Sequence, residues 1–137
     1  LGLILDISIL IDGERRREAP EEILTRMRHR LSGEDVSISA ITVLELTDGI
    51  YRSNSEERKT IRREFTETIF RNIIVHPVSF EIAQLAGRVE GEEAAKGIAI
   101  PIQDLLIGAT ALILGYSVVT LNPRHFQLIP GLQVVAV

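Results

Sequence analysis

The sequence predicts an α/β fold, a three-layer sandwich built around a central parallel sheet, and three observations predict it. Short apolar runs without polar alternation recur along the 137 residues, as strands covered on both faces require. Helical spacing of apolar residues follows most of these runs, the alternation that crossover connections between parallel strands produce. The length suits a single domain, 1–137, and no repeat, low-complexity segment or interdomain linker breaks it.

Leu3-Ile4-Leu5 reads as a short buried strand that stops at Asp6, and the residues up to Asp12-Gly13 read as a turn or the first turn of a helix. Glu14 to Arg30 is highly charged, and Ile23, Met27 and Leu31, spaced by four, give it one helical stripe with a solvated back. Val36-Ser37-Ile38-Ser39 alternates as a strand, then Val43, Leu44, Leu46 and Ile50 switch to helical period across Ala40 to Tyr51. Ile61, Phe65 and Ile69 stripe a helix over Glu56 to Phe70, and Ile73-Ile74-Val75 is a strand closed by Pro77. Ser79 caps a helix running through Phe80, Ala83, Ala86 and Val89. After a loop over Gly97 to Ile102, Asp104 to Gly115 is almost wholly apolar, a composition that only a helix packed on several sides tolerates in a soluble protein. Tyr116 to Leu121 and Gln133 to Val137 supply the last strands, separated by the Pro130-Gly131 turn.

Composition removes several functions. Without cysteine there is no disulfide framework, thiolate zinc site, iron–sulfur cluster or cysteine nucleophile. Fifteen basic against 19 acidic residues leave a net charge of −4, which argues against broad electrostatic coating of nucleic acid but allows a polyanion held by metal and a local arginine patch. Only Lys59 and Lys96 are lysines; the remaining basic residues carry the planar fork that suits phosphate and carboxylate alike. No apolar run approaches the ~20 residues of a membrane span, and the opening run meets Asp6 too soon to be a signal peptide, so a cytoplasmic location without membrane partners is expected.

Ligands of open parallel sheets bind beyond the carboxyl ends of the strands, so polar residues at strand exits carry the weight. Asp6 and Ser8 read locally as a cap or as a metal ligand with a hydroxyl steering it. Thr42-Val43-Leu44-Glu45 has the form of a capping box, yet Glu45 lies in an apolar stretch where a carboxylate is costly unless paired or coordinated. Asp104 opens the most apolar helix, where it serves the helix dipole or a metal equally well. Asn122 precedes Pro123 as a turn former or a site amide, and His125, with no partner at metal-ligand spacing, reads as a packed, hydrogen-bonded histidine. Taken together, three carboxylates and an amide fall at the same end of successive α/β units, a hard oxygen set suited to Mg²⁺ or Mn²⁺.

In these segments the sequence resembles PIN-domain ribonucleases, specifically the VapC-like toxins of prokaryotic toxin–antitoxin pairs. The likeness runs through essentially the whole chain: Leu5-Asp6-Ile7-Ser8, Thr42-Val43-Leu44-Glu45-Leu46, Pro101 to Ala111 around Asp104, and Val119-Thr120-Leu121-Asn122-Pro123-Arg124-His125-Phe126, in that order. Two departures stand out. Ile7 replaces a frequent threonine, and Asn122 stands where many members carry a fourth acid, which makes a one-metal state more secure than a two-metal one. The resemblance implies a PIN-like α/β/α sandwich, a homodimer, a VapB-like antitoxin partner and metal-dependent hydrolysis of RNA phosphodiesters. It implies Asp6, Glu45 and Asp104 as metal ligands for Mg²⁺, with Mn²⁺ as substitute, Asn122 and Ser8 as orienting groups, and Arg15, Arg16, Arg17 and Arg124 as RNA or antitoxin contacts. The helices near Thr42 to Tyr51 and Ser79 to Gly91 carry more apolar positions than one core stripe needs, which marks them for a two-fold interface. Two competing functions remain open from the sequence: a noncatalytic cation-binding interaction module, and a receiver-like phosphoacceptor, which would need a lysine after a late strand where neither Lys59 nor Lys96 falls.

Overall fold

A computed structural model describes residues 2–32 and 34–137; Leu1, the first residue of the opening apolar run, and Gly33 lie outside them. In chain order the elements are β1 (Gly2–Leu5), α1 (Ile7–Arg15), α2 (Pro20–Arg30), β2 (Asp35–Ser39), α3 (Ala40–Tyr51), α4 (Glu56–Asn72), β3 (Ile74–His76), α5 (Phe80–Ala94), α6 (Ile102–Leu114), β4 (Ser117–Thr120) and β5 (Val134–Ala136), with a 3-10 turn over Phe126–Leu128. The strands form one sheet in the order β3-β2-β1-β4-β5, every neighbouring pair parallel. β1 is therefore central, paired through Ile4 with Ser37 on one side and Val118 on the other.

Alternation along the strands divides the core into two layers. Leu3, Leu5 and Val119 pack against Ile9, Leu10, Ile23, Leu24, Met27 and Ile69 of α1, α2 and α4. Ile4 and Val118 face the other way, onto Ile82, Ala86 and Val89 of α5 and Leu105, Ile107, Ala109 and Ala111 of α6. Each fully buried Leu or Ile contributes about 2 kcal/mol relative to exposure, so the two clusters clamp the sheet from both faces. This is the three-layer α/β/α sandwich with a central parallel sheet. None of the described helices is long and apolar enough to cross a membrane.

Three local expectations change. The charged stretch from Glu14 to Arg30 is two helices rather than one, because Pro20 cannot sit inside a helix and instead opens α2 at its first turn, while Arg17 takes a positive φ of 61° in the link. The residues after Asp6 form a full helix, α1, starting directly at Ile7. On α4, Ile61 is 59% exposed, and the buried positions are Thr66 and Ile69.

Candidate active site

Asp6 is the first residue past β1. With φ −74° and ψ 153° it occupies the N-cap position of α1, yet its carboxylate makes no capping bond to a backbone N–H of that helix. Its Oδ2 accepts instead from Ser8 Oγ at 2.7 Å and from Thr120 Oγ1 at 2.8 Å. Those hydroxyls are held in turn: Leu121 N–H donates to Ser8 Oγ at 3.1 Å, and Asn122 N–H donates to Thr120 Oγ1 at 2.9 Å. The exit of β4 is thus fastened to the start of α1, and the buried Asp6 carboxylate is oriented by two hydroxyls and no ion pair among the described residues.

Glu45 comes from α3. The cap of that helix is Ser39, whose side chain accepts from Ile41 N–H at 3.0 Å, so of the two readings open for Glu45 the Thr42–Glu45 capping box does not form. Thr42 is buried inside the helix with its hydroxyl unpartnered, and Glu45 sits in the second turn with its Oε1 buried and without a hydrogen bond. Burial, then the charges of Asp6 and Asp104, push its carboxyl up to about 7.

Asp104 lies in the first turn of α6, whose cap residue Pro101 offers no side-chain bond. Its Oδ2 is 2.9 Å from His125 Nδ1, in the loop after β4, with the histidine half exposed. Burial raises the Asp104 carboxyl, and the hydrogen bond from His125 works against that rise. His125 therefore has its partner through space rather than through sequence spacing.

All five residues singled out in the sequence, Asp6, Ser8, Glu45, Asp104 and Asn122, line one cleft of about 600 Å³, with Arg15 and His125 also on its wall. The side chain of Asn122 is exposed there and only its backbone N–H enters the network. Ile7 lines the cleft as an apolar wall, while Ser8 and Thr120 supply the hydroxyls around Asp6. No lysine lines the cleft, which removes the group that a receiver-like phosphoacceptor needs. The three carboxylates offer the hard oxygen donors that Mg²⁺ or Mn²⁺ takes, although among the described residues no three His, Asp or Glu side chains are gathered closely enough to hold an ion as placed.

Among known protein families, the model for the PIN domain matches residues 3–132. Ribonuclease VapC1 of Rickettsia felis is 32% identical over 137 residues, spanning 100% of this chain and 97% of the relative. The chain belongs to the VapC family of PIN-domain proteins. This PIN domain is also 31% identical over 118 residues, 86% of each chain, to the tRNA(fMet)-specific endonuclease VapC of Salmonella typhimurium. Among solved structures it is similar to DNA-bound VapBC from Salmonella typhimurium, with a TM-score of 0.78 and 30% identity over 98% of this chain and 96% of that one.

One group of this PIN domain escaped the sequence reading, and another was named there without its place in the cleft. Thr120 was visible only as a polar residue ending an apolar strand, and nothing local tied it to Asp6, 114 residues away. Arg15 was named with Arg16, Arg17 and Arg124 as a candidate RNA or antitoxin contact, and of those four it alone lines this cleft.

Proposed function

We propose that the protein is a Mg²⁺- or Mn²⁺-dependent endoribonuclease, the toxin of a toxin–antitoxin pair, acting in the cytoplasm. The single observation that carries this reading is Glu45: a buried carboxylate oxygen without a partner, beside two further carboxylates, at the carboxyl end of the central strands. Such a group is costly unless protonated or met by a cation, and the all-oxygen donor set fits a hard divalent ion. Asp6, Glu45 and Asp104 would hold it. When bound, the ion supplies a Lewis acid that polarises the phosphoryl oxygen and makes water a stronger nucleophile.

The chain's own residues do the rest. Ser8 and Thr120 fix the Asp6 carboxylate from one side, leaving its other oxygen for the cleft. His125 holds one oxygen of Asp104, and Asn122 presents a neutral amide at the rim for water or the phosphate to be cut. The substrate is RNA in single-stranded or looped form, and transfer RNA is the first to try because a relative carries that specificity in its name. A VapB-like antitoxin is the expected partner, by extension from the VapBC relative. Two copies pairing through α3 and α5 would cover Leu44, 59% exposed, and Phe80, 76% exposed.

The test is cleavage of transfer RNA with Mg²⁺ or Mn²⁺, repeated with chelator and with Asp104→Asn. Cleavage should require the ion, and the variant should lose about 100-fold or more of kcat while staying folded, since asparagine keeps the first-turn geometry of α6. An Asp104→Asn protein that cuts as well as the parent would remove this cleft from the chemistry.

A further inference from the structure

A second cleft, of about 440 Å³, lies beside the first. Arg15 at the end of α1, Arg52 after α3, and Arg58 and Arg62 on α4 all line it, so three parts of the chain bring guanidinium groups to one place in a protein whose net charge is −4. Glu14 is the one carboxylate on its wall, and Arg62 already meets that group at 3.3 Å. Arg52 is held by Asp48 at 2.7 Å. Arg15 and Arg58 have no carboxylate within 4.0 Å among the described residues, which leaves two exposed planar forks without a counter-charge.

Arg15 is the one residue that lines both clefts. The cationic cleft therefore adjoins the acidic one at Arg15 rather than standing as an isolated patch. We propose that the cleft lined by Arg15, Arg58 and Arg62 is a phosphate-binding site that holds the backbone of the RNA on one side of the bond to be cut, an inference that rests on the nuclease reading above. A guanidinium fork meets two phosphate oxygens at once, so a pair of free forks positions a chain as well as attracting it. Charge is divided between the clefts in the way a polyanion requires, with carboxylates that receive an ion for one phosphate and arginines that neutralise its neighbours. A protein segment is the less favoured occupant, because Ile61 is the single apolar side chain on this wall and interface cores draw on apolar and aromatic contacts.

The experiment is binding of a fluorescent 12-nucleotide single-stranded RNA in EDTA across a salt series, for the parent, Arg58→Ala, Arg15→Ala and, as a distant control, Arg88→Ala. Arg88 is an exposed residue of α5 paired with Glu92. Arg58→Ala should weaken binding about fivefold and flatten the dependence of log affinity on log salt by about 0.7, the loss of one single-strand phosphate contact. Arg15→Ala should do the same, and Arg88→Ala should match the parent. In the Mn²⁺ cleavage assay Arg58→Ala should raise KM with kcat retained. Parent-like RNA affinity in Arg58→Ala overturns the proposal, as does a parent that binds no RNA. Competition by an oligoglutamate peptide that Arg58→Ala abolishes, with RNA affinity unchanged, also overturns it and assigns the cleft to an acidic protein segment. Arg58-dependent RNA binding by a parent that cuts nothing would instead remove the nuclease reading and leave the phosphate site in place. Because binding is read without metal, the two failures are distinguishable.

Discussion

Glu45 is stored in its unfavourable charge state whenever the cleft lacks a cation above neutral pH. Its carboxyl titrates near 7 in the folded chain against an ordinary 4.5, so the folded state holds the proton more tightly than the unfolded one. The sign follows: this group favours folding fully below pH 4.5, and that contribution is lost as pH rises through about 7. Asp104, also raised by burial, acts in the same direction, with its His125 bond opposing. Because Glu45 is only half buried, solvent screening reduces its effect to about 1–2 kcal/mol. Glu45→Gln in EDTA should therefore melt about 3–6 °C above the parent at pH 8 and close to it at pH 4.5. Thermal melts of both proteins at the two pH values check this, and a difference that does not change with pH would remove the buried-charge account. Adding Mn²⁺ at pH 8 should stabilise the parent more than the variant, since the variant lacks the charge that the ion neutralises.

Among the elements, α6 and β4 set the position of the site, and their junction depends on Gly115. That residue closes α6 with φ 71°, and the next N–H, of Tyr116, reaches back to Ala111 at 2.8 Å, which turns the chain sharply into β4. A methyl group there would meet nothing within 4 Å, so Gly115→Ala should cost backbone strain alone, about 1 kcal/mol, read as a lowered denaturant midpoint with an unchanged slope. Much of this layer was legible in the sequence. Periodicity located α3 and α5, apolar composition located α6, Ser79 announced the cap of α5, and β-type runs located all five strands within a residue or two. The break at Pro20 was equally visible in principle, but the spacing of Ile23, Met27 and Leu31 pointed to a longer helix and prevailed over it. Thr42 misled for a different reason. Its sequence pattern suits a cap, yet Ser39 at the end of β2 already fills that position, and which of two hydroxyls caps a helix depends on where the preceding strand stops. The partners of Asp6 and Asp104 were not legible at all, because Thr120 and His125 meet them only after β4 has been inserted beside β1.

For the molecule as a whole, apolar exposure falls on edge strand β3, at Ile74, and on several helices. Leu44 and Tyr51 on α3, Phe80 on α5 and Ile102 on α6 are all exposed, and α3 and α5 both pack on α6. Light scattering across the micromolar range should give the mass of two chains, and Phe80→Glu should shift that distribution toward one. A parent that stays monomeric at every concentration would count against pairing through these helices. The central place of β1 has a further consequence, in time rather than in space. Its pairing with β2 joins segments about 34 residues apart, whereas the clamp on Asp6 waits for Thr120, 114 residues downstream. Long-range pairings are slow to form, and a growing chain folds in the order in which it is made. A ribosome making this protein therefore carries Asp6 with Ser8 beside it but without Thr120 until the chain has grown by 114 further positions, and the cleft is completed only once β4 has emerged.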